Sequence, residues 1–143
     1  MAVTAKQVNE LRQLTGAPLM RCKQVLIEVG GDIDQAKAMI KEQGLSVAAK
    51  KSTRETTQGL VLAEKQDDVA IIIEIMCETD FVARNSVFQD FAHEVLKVAL
   101  AHKVGDIDSL MELKVSGMTV EQMRQEQVAG LGENIQVLSL IHI

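Results

Sequence analysis

The sequence predicts an α+β fold in which a bundle of three short helices precedes a small antiparallel sheet covered by helices. Capping residues and glycines divide the first part of the chain into three short amphipathic segments. Two β-rich runs joined by a polar turn follow, at residues 60–64 and 69–77. The most regular helical pattern comes next, at about residues 86–103, and can cover one face of that sheet.

Composition restricts the classes of function. The 143 residues carry a net charge of −5 and include three phenylalanines but no tryptophan or tyrosine. Residues 1–55 carry nine basic and six acidic side chains, whereas residues 56–143 carry six and fourteen. Nucleic-acid binding favours basic faces and aromatic stacking platforms, and an acidic main body with almost no aromatic residues is poorly suited to it. We therefore expect a protein partner and no direct contact with nucleic acid.

No segment predicts insertion into a membrane or secretion. The longest apolar run, at residues 69–73, is too short to span a bilayer. Residues 1–9 lack the charged and apolar regions of a secretory signal. Cys22 and Cys77 have no CxxC neighbour, so we expect both to be reduced in the cytoplasm.

The first two predicted helices have clear start signals. Thr4 and Gln7 have the spacing of a capping box, and Pro18 suits the first turn of the second helix, which runs to about residue 29. The side chains predicted to be buried on these two helices are Val8, Leu11, Leu14, Leu19, Cys22, Val25, Leu26 and Val29. Met20 and Ile27 lie on the opposite face of the second helix, either as a partner contact or as scattered surface apolar residues.

The third helix and the segment after it complete the proposed organisation. Asp32 is a good N-cap, and Gly44 is expected to close the helix. We assign residues 1–51 to the helical module, 52–58 to a linker and 59–143 to an α+β core. The polar and partly basic linker is typical of a solvated connector, with phosphate or RNA contact as the less favoured alternative.

Within the core, the second strand has one wholly apolar face, formed by alternate residues from Val69 to Cys77. Further helices are predicted around residues 107–113 and from Thr119, which has capping-box spacing with Gln122, to about residue 128. Residues 135–143 read as a terminal strand that is unusually apolar. Without a neighbouring strand it would favour aggregation or a homodimer.

The strand-to-helix joint at residues 77–85 is the strongest candidate for a functional segment. Phe88 and Phe91 fall into the buried series of the following helix, but Phe81 lies outside it. By pattern alone a core position is still favoured for Phe81, because buried phenylalanine is common.

No catalytic, cofactor-binding or metal-binding motif is present in the sequence. Glu78 and Asp80 flank Thr79, but two carboxylates without a histidine are weak evidence for acid–base chemistry. Cys77 ends a core-facing row and is interpreted as a packing residue, with a nucleophile as the alternative. We predict a protein that is not an enzyme.

Three segments together resemble bacterial translation elongation factor Ts. They are residues 15–23, with the sequence TGAPLMRCK, residues 31–32, with the sequence GD, and residues 79–85, with the sequence TDFVARN. Gly132, Glu133 and Asn134 also match, and the resemblance extends to about residue 137.

The resemblance implies a cytoplasmic nucleotide-exchange factor for GDP-bound elongation factor Tu, with no cofactor of its own. In that family a UBA-like three-helix module docks on the GTPase, and a turn of the core dislodges the Mg²⁺ held by the GTPase. The matching residues in this turn are Thr79, Asp80, Phe81 and Val82, with Phe81 as a wedge and Asp80 holding the loop. The other matching contacts are Arg12, Leu19, Met20, Leu131 and Gly132.

The family continues beyond the strand at residue 135 into a second half of the core, so we expect this chain to be truncated after the first half. Two hypotheses follow: an exchange factor that keeps both contact motifs, or a docking module that binds the GTPase without driving exchange. A thiol-dependent enzyme using Cys77 is the third and least favoured hypothesis.

Overall fold

The computed structural model describes residues 2–143, within which the chain forms seven α-helices and five β-strands. The helices are α1 (Ala5–Thr15), α2 (Leu19–Glu28), α3 (Ile33–Lys51), α4 (Asp80–Ala83), α5 (Ser86–Ala101), α6 (Ile107–Glu112) and α7 (Val120–Leu131). The strands are β1 (Gln58–Gln66), β2 (Val69–Cys77), β3 (Lys114–Val115), β4 (Met118–Thr119) and β5 (Gln136–His142). The prediction of a mixed α+β fold with a small antiparallel sheet is confirmed.

Helices α1, α2 and α3 pack around a small apolar core of their own. Its buried members are Val8, Leu11, Ala17, Cys22, Val25, Leu26, Ala36 and Ile40. The predicted caps are confirmed: Thr4 and Gln7 form a capping box at α1, and Asp32 accepts a hydrogen bond from the Gln35 backbone N–H at 2.9 Å.

Two residues predicted to be buried in this bundle are exposed instead. Leu14 is 48% exposed, and its place is taken by Thr15, whose hydroxyl donates to the Leu11 carbonyl at 2.8 Å and is thereby satisfied inside the core. Leu19 is 44% exposed. It begins α2, and helical side chains tilt toward the N-terminus, so Leu19 projects beyond the end of the bundle.

The prediction that Gly44 closes α3 is wrong. The helix continues through Gly44 to Lys51, because at this position α3 packs against α7. A Cβ atom on Gly44 would lie 3.8 Å from the Gln125 carbonyl oxygen and 3.9 Å from the Ala129 Cβ. The second half of α3 therefore leaves the bundle and contributes Ala48 to the core beneath the sheet.

The main sheet is antiparallel in the order β1-β2-β5, so β2 is central. Its alternation is as predicted, with Val69, Ile71, Ile73, Ile75 and Cys77 all buried. The expectation that the terminal strand lacks a neighbour is wrong. Strand β5 pairs with the free edge of β2. This pairing lets Val137 and Leu140 of β5 pack against the core under the sheet.

Helix α5 covers the sheet, and its predicted series is buried throughout: Phe88, Phe91, Ala92, Val95, Leu96 and Ala99. Helix α6 and the Thr119 capping box are also confirmed. The prediction that both late glycines end α7 is half right. Gly130 is helical, and Gly132, with φ of 76°, is the C-cap. The short β3–β4 hairpin was not predicted from the sequence.

Within residues 2–143, none of the helices combines the length and the apolar character needed to cross a membrane.

Glu126 occupies the seam between α3 and α7. Burial raises the pKa of its carboxyl to about 7, and the charges of Lys41 and Lys37 on α3 only partly oppose this. Arg21 of α2 lines the same small cavity. A partly buried carboxyl group with a raised pKa therefore lies where the bundle meets the core.

Two glycine-to-alanine substitutions are expected to have opposite effects on stability. Gly44→Ala adds a methyl group at ordinary contact distance inside a helix and should raise the free energy of unfolding by about 0.5–1 kcal/mol. Gly59→Ala places a Cβ 2.2 Å from the Ile75 carbonyl oxygen at φ of 157°. It should lower the free energy of unfolding by about 2–3 kcal/mol. Urea denaturation measures both, and a loss of stability in Gly44→Ala would contradict the open α3–α7 contact at this position, whereas unchanged stability in Gly59→Ala would contradict the close approach of β1 to β2.

Glu126→Gln should change how stability depends on pH. The folded-state pKa lies above the ordinary value of 4.5, so Glu126 supports folding most when it is protonated, and this support is lost as the pH rises through about 7. Glu126 is only partly buried, so solvent screening reduces the effect that the pKa shift implies. The variant, which cannot ionise, should be more stable than the parent by about 2 kcal/mol at pH 8 and no more stable at pH 4.5. Urea midpoints across this range measure the difference. Glu42→Gln, which changes an exposed carboxylate of α3, is the control and should show no such trend.

Candidate functional site

The turn between β2 and α5 presents a phenylalanine to solvent. Phe81 is 82% exposed, although Val82 and Ala83 beside it are buried in the core under the sheet. All three belong to the single helical turn α4. The core position that the pattern favoured for Phe81 is therefore wrong. Val82 and Ala83 anchor the helical turn in the core, and Phe81 points outward.

Thr79 begins this helical turn through its hydroxyl group. Its Oγ1 accepts the backbone N–H of Val82 at 3.4 Å and donates to Glu133 Oε2 at 2.6 Å. The hydroxyl is thus both an N-cap and a link to the chain segment that precedes β5.

Glu133 holds the same turn by its backbone. Its Oε1 accepts the N–H of Glu78 at 3.1 Å and the N–H of Thr79 at 2.9 Å. Together with the Thr79 hydroxyl, one carboxylate receives three donors from two consecutive residues. Hydrogen bonds to a charged acceptor are stronger than neutral ones, so this contact fixes the turn firmly.

Glu78 returns a hydrogen bond across the same contact. Its Oε1 accepts the backbone N–H of Asn134 at 2.7 Å and lies 3.5 Å from Arg54 Nη1. Asp80, by contrast, is exposed and forms a 3.9 Å ion pair with Arg84, which is also exposed. Glu78 has a structural role in this arrangement, and the contacts that fix the turn come from Glu133.

Cys77 supports the turn from inside. Its thiol is buried and lies 3.2 Å from the Thr79 carbonyl oxygen, to which it donates. Burial, followed by the charge of Glu133, raises the pKa of the thiol to about 11. A thiol of this kind packs and donates a hydrogen bond, and it is a poor nucleophile.

A second exposed apolar surface lies on the helical bundle. Met20 is 73% exposed and Ile27 59%, as the outward stripe on α2 predicted. Leu19 and Met20 line a surface groove with Val3 and Lys23. Arg12 is exposed in the last turn of α1. Leu19 therefore faces outward, as the family resemblance implied and the helical pattern did not.

Leu131 and Gly132 lie at the end of α7, close to the Phe81 turn. Leu131 packs against the core, and the Gly132 carbonyl accepts a hydrogen bond from Lys51 Nζ at 2.9 Å. Gly132 ends α7 in the left-handed conformation and directs the chain into Glu133. Pattern analysis missed Glu133 as a site residue. The one feature of the sequence that pointed to Glu133 was the match of residues 132–134 to the family.

Within the described part of the chain, residues 2–143, no cluster of three or more histidine, cysteine, aspartate or glutamate side chains is arranged to hold a metal ion.

The chain is similar to known proteins over nearly its whole length. The family model described as elongation factor Ts matches residues 78–143, which include the Phe81 turn. The elongation factor Ts of Amoebophilus asiaticus is 44% identical over 137 residues, covering 94% of this chain and 50% of that protein. That of Hydrogenobaculum sp. is 41% identical over 143 residues, covering 96% and 52%. That of Halorhodospira halophila is 43% identical over 143 residues, covering 99% and 49%. The chain spans about half the length of the curated relatives it matches.

The burial of Cys77 predicts that its thiol is unreactive. In the folded protein at pH 8, neither cysteine should react with a disulfide reagent such as DTNB within minutes, and both should react at once in denaturant. Ser86→Cys, at an exposed position, is the positive control and should give one reactive thiol in the folded state. Rapid reaction of Cys77 in the folded parent would restore the thiol-dependent enzyme as a hypothesis.

Proposed function

This chain belongs to the elongation factor Ts family, and from that premise we propose that it is a guanine-nucleotide exchange factor for elongation factor Tu that acts in translation elongation in the cytoplasm. The observation that carries the proposal is the 82% exposure of Phe81 on a turn fixed by hydrogen bonds. A large apolar side chain held outward in this way suits insertion into a partner.

The proposed mechanism is displacement of Mg²⁺ and release of GDP. A Mg²⁺ ion held by the GTPase beside GDP would supply much of the electrostatic attraction that retains the nucleotide, so a contact that disturbs its ligands would favour release of GDP. Phe81 acts as the wedge, and Thr79, Asp80 and Val82 form the rest of the contact turn. Because binding free energies are linked, a factor that weakens the binding of GDP is itself bound more weakly when GDP is present. No covalent step is required.

We further propose that the helical bundle is a UBA-like docking module. Its contact surface comprises Leu19 and Met20, which are exposed and line one groove, with Arg12 nearby in α1. Leu131 and Gly132 add a third contact beside the Phe81 turn. The module at residues 1–51 and the core at residues 59–143 then engage the GTPase together.

The second candidate is a docking module that binds elongation factor Tu without accelerating GDP release. It is favoured by one observation: the chain spans about half the length of its curated relatives. In the first candidate both surfaces of this chain suffice for exchange. In the second, the contacts that open the nucleotide site lie in the part of the relatives that this chain does not match.

Release of a fluorescent GDP analogue from a bacterial elongation factor Tu, measured by stopped flow, distinguishes the two candidates. We expect the chain to accelerate release and Phe81→Ala to reduce the maximal acceleration at least tenfold, about 1.4 kcal/mol of barrier. Met20→Ala should mainly raise the concentration needed for half the effect. Leu45→Ala, which removes another exposed leucine, is the control and should change neither value. Binding with unchanged release would favour the docking module.

A further inference from the structure

The segment 132–134 holds the Phe81 turn and the end of α3 at the same time. On one side Glu133 accepts the two backbone N–H groups and the hydroxyl described above. On the other side Asn134 Nδ2 donates to the Arg54 carbonyl at 2.8 Å, and Lys51 Nζ donates to the Gly132 carbonyl. Asn134 is 1% exposed, so this contact lies inside the fold.

We propose that Glu133 is a positioning residue for nucleotide exchange, which holds Phe81 in its outward position before the partner arrives. This inference rests on the proposed function for its consequence in exchange, but its structural content concerns the free chain alone. Glu133 itself does not insert into the partner. It acts through Thr79 on the helical turn that carries Phe81.

The path from Glu133 to Phe81 runs through the Thr79 hydroxyl. Because that hydroxyl donates its hydrogen to Glu133 Oε2 at 2.6 Å, its lone pairs are free to accept the N–H of Val82. The Val82 N–H is one of the first donors of α4, and its capping sets the start of that helical turn. Removing the carboxylate therefore frees the hydroxyl to rotate and weakens the cap.

The backbone on the other side of Thr79 depends on the same carboxylate. Strand β2 ends at Cys77, and the last residue that it pairs with β5 is Met76. The N–H groups of Glu78 and Thr79 thus lie beyond this ladder, and Glu133 Oε1 accepts both. Without an acceptor these partly buried donors would turn toward water, and residues 78–82 would sample other conformations.

The contact also relates the two proposed binding surfaces. Leu19 and Met20 lie on the bundle, which is connected to the α+β core through α3. The last residue of α3, Lys51, donates a hydrogen bond to the Gly132 carbonyl. Arg54, three residues later, contacts both Asn134 and Glu78. Glu133 therefore lies where the Phe81 turn meets the segment leading from the bundle, and it fixes the direction of Phe81 relative to that segment.

Two substitutions at Glu133 separate its contributions. Glu133→Ala removes the acceptor for all three donors. Glu133→Gln keeps one oxygen for the Glu78 and Thr79 N–H groups but places an NH₂ donor opposite the Thr79 hydroxyl. The hydroxyl then has to accept from the amide, in competition with the Val82 N–H. Glu42→Ala, an exposed carboxylate lost from α3, is the matched control.

The first readout is amide hydrogen exchange of the free chain, followed residue by residue by NMR. In Glu133→Ala we expect exchange at Glu78, Thr79 and Val82 to accelerate at least tenfold while the β2 interior is unchanged. In Glu133→Gln we expect protection to persist at Glu78 and Thr79 and to fall at Val82. Unchanged exchange at all three amides in Glu133→Ala would overturn the proposal. Equal acceleration throughout β2 would also overturn it, because that would indicate a merely structural role.

The second readout is GDP release from elongation factor Tu at saturating and sub-saturating chain. We expect Glu133→Ala to lower the maximal release rate at least tenfold and to change the half-saturating concentration less than threefold, with an intermediate maximal rate for Glu133→Gln and no change for Glu42→Ala. A maximal rate equal to the parent's would overturn the positioning role. If the parent chain itself fails to accelerate release, the proposed function fails, and hydrogen exchange alone then decides whether Glu133 holds the turn. If Glu133→Ala does not fold, the Gln variant supplies both readouts.

Discussion

The carboxylate of Glu133 satisfies a constraint that the end of a central strand creates. Beyond Met76 the ladder between β2 and β5 stops, yet the chain must still enter α4 with its backbone donors paired. The residues immediately before β5 pass beside this point, and Glu133 supplies an acceptor where strand pairing no longer does. In the positioning role proposed for Glu133, the turn, its N-cap and the outward position of Phe81 depend on this side-chain acceptor.

Helix α3 connects the two hydrophobic cores. Helix α3 contributes Ala36 and Ile40 to the bundle core, and its continuation past Gly44 contributes Ala48 to the core under the sheet. Close packing against α7 requires a small residue at the crossing, which Gly44 provides. The bundle is thereby attached through a continuous helix. This arrangement restricts how far the two surfaces can move relative to each other more than a flexible segment would.

Local signals in the sequence predicted the features that local chemistry decides. The Thr4 and Thr119 capping boxes and the buried face of β2 follow from neighbours within a few residues, and all are present. Features set by distant segments were not predictable in this way. Gly44 is helical because α7 lies against it, and β5 is paired because β2 has an open edge. The same limit applies to Phe81 and Glu133 at the candidate site. A sequence pattern does not show that Val82 and Ala83 are buried in the core and leave Phe81 exposed. Nor does it show that Glu133 accepts a hydrogen bond from Thr79.

A wedge must be rigid before it meets its target if its binding energy is to act on the target. Ordering a turn on association costs free energy for each residue fixed, and that cost reduces what remains to distort a nucleotide site. Here residues 78–82 are ordered when the chain folds, by the Glu133 carboxylate on the outside and the Cys77 thiol on the inside. In the proposed exchange mechanism, Phe81 would lose only its own side-chain freedom on insertion. An exposed phenylalanine that follows a capped helix start and precedes the buried Val82 and Ala83 therefore suits a factor that works by differential binding rather than by chemistry.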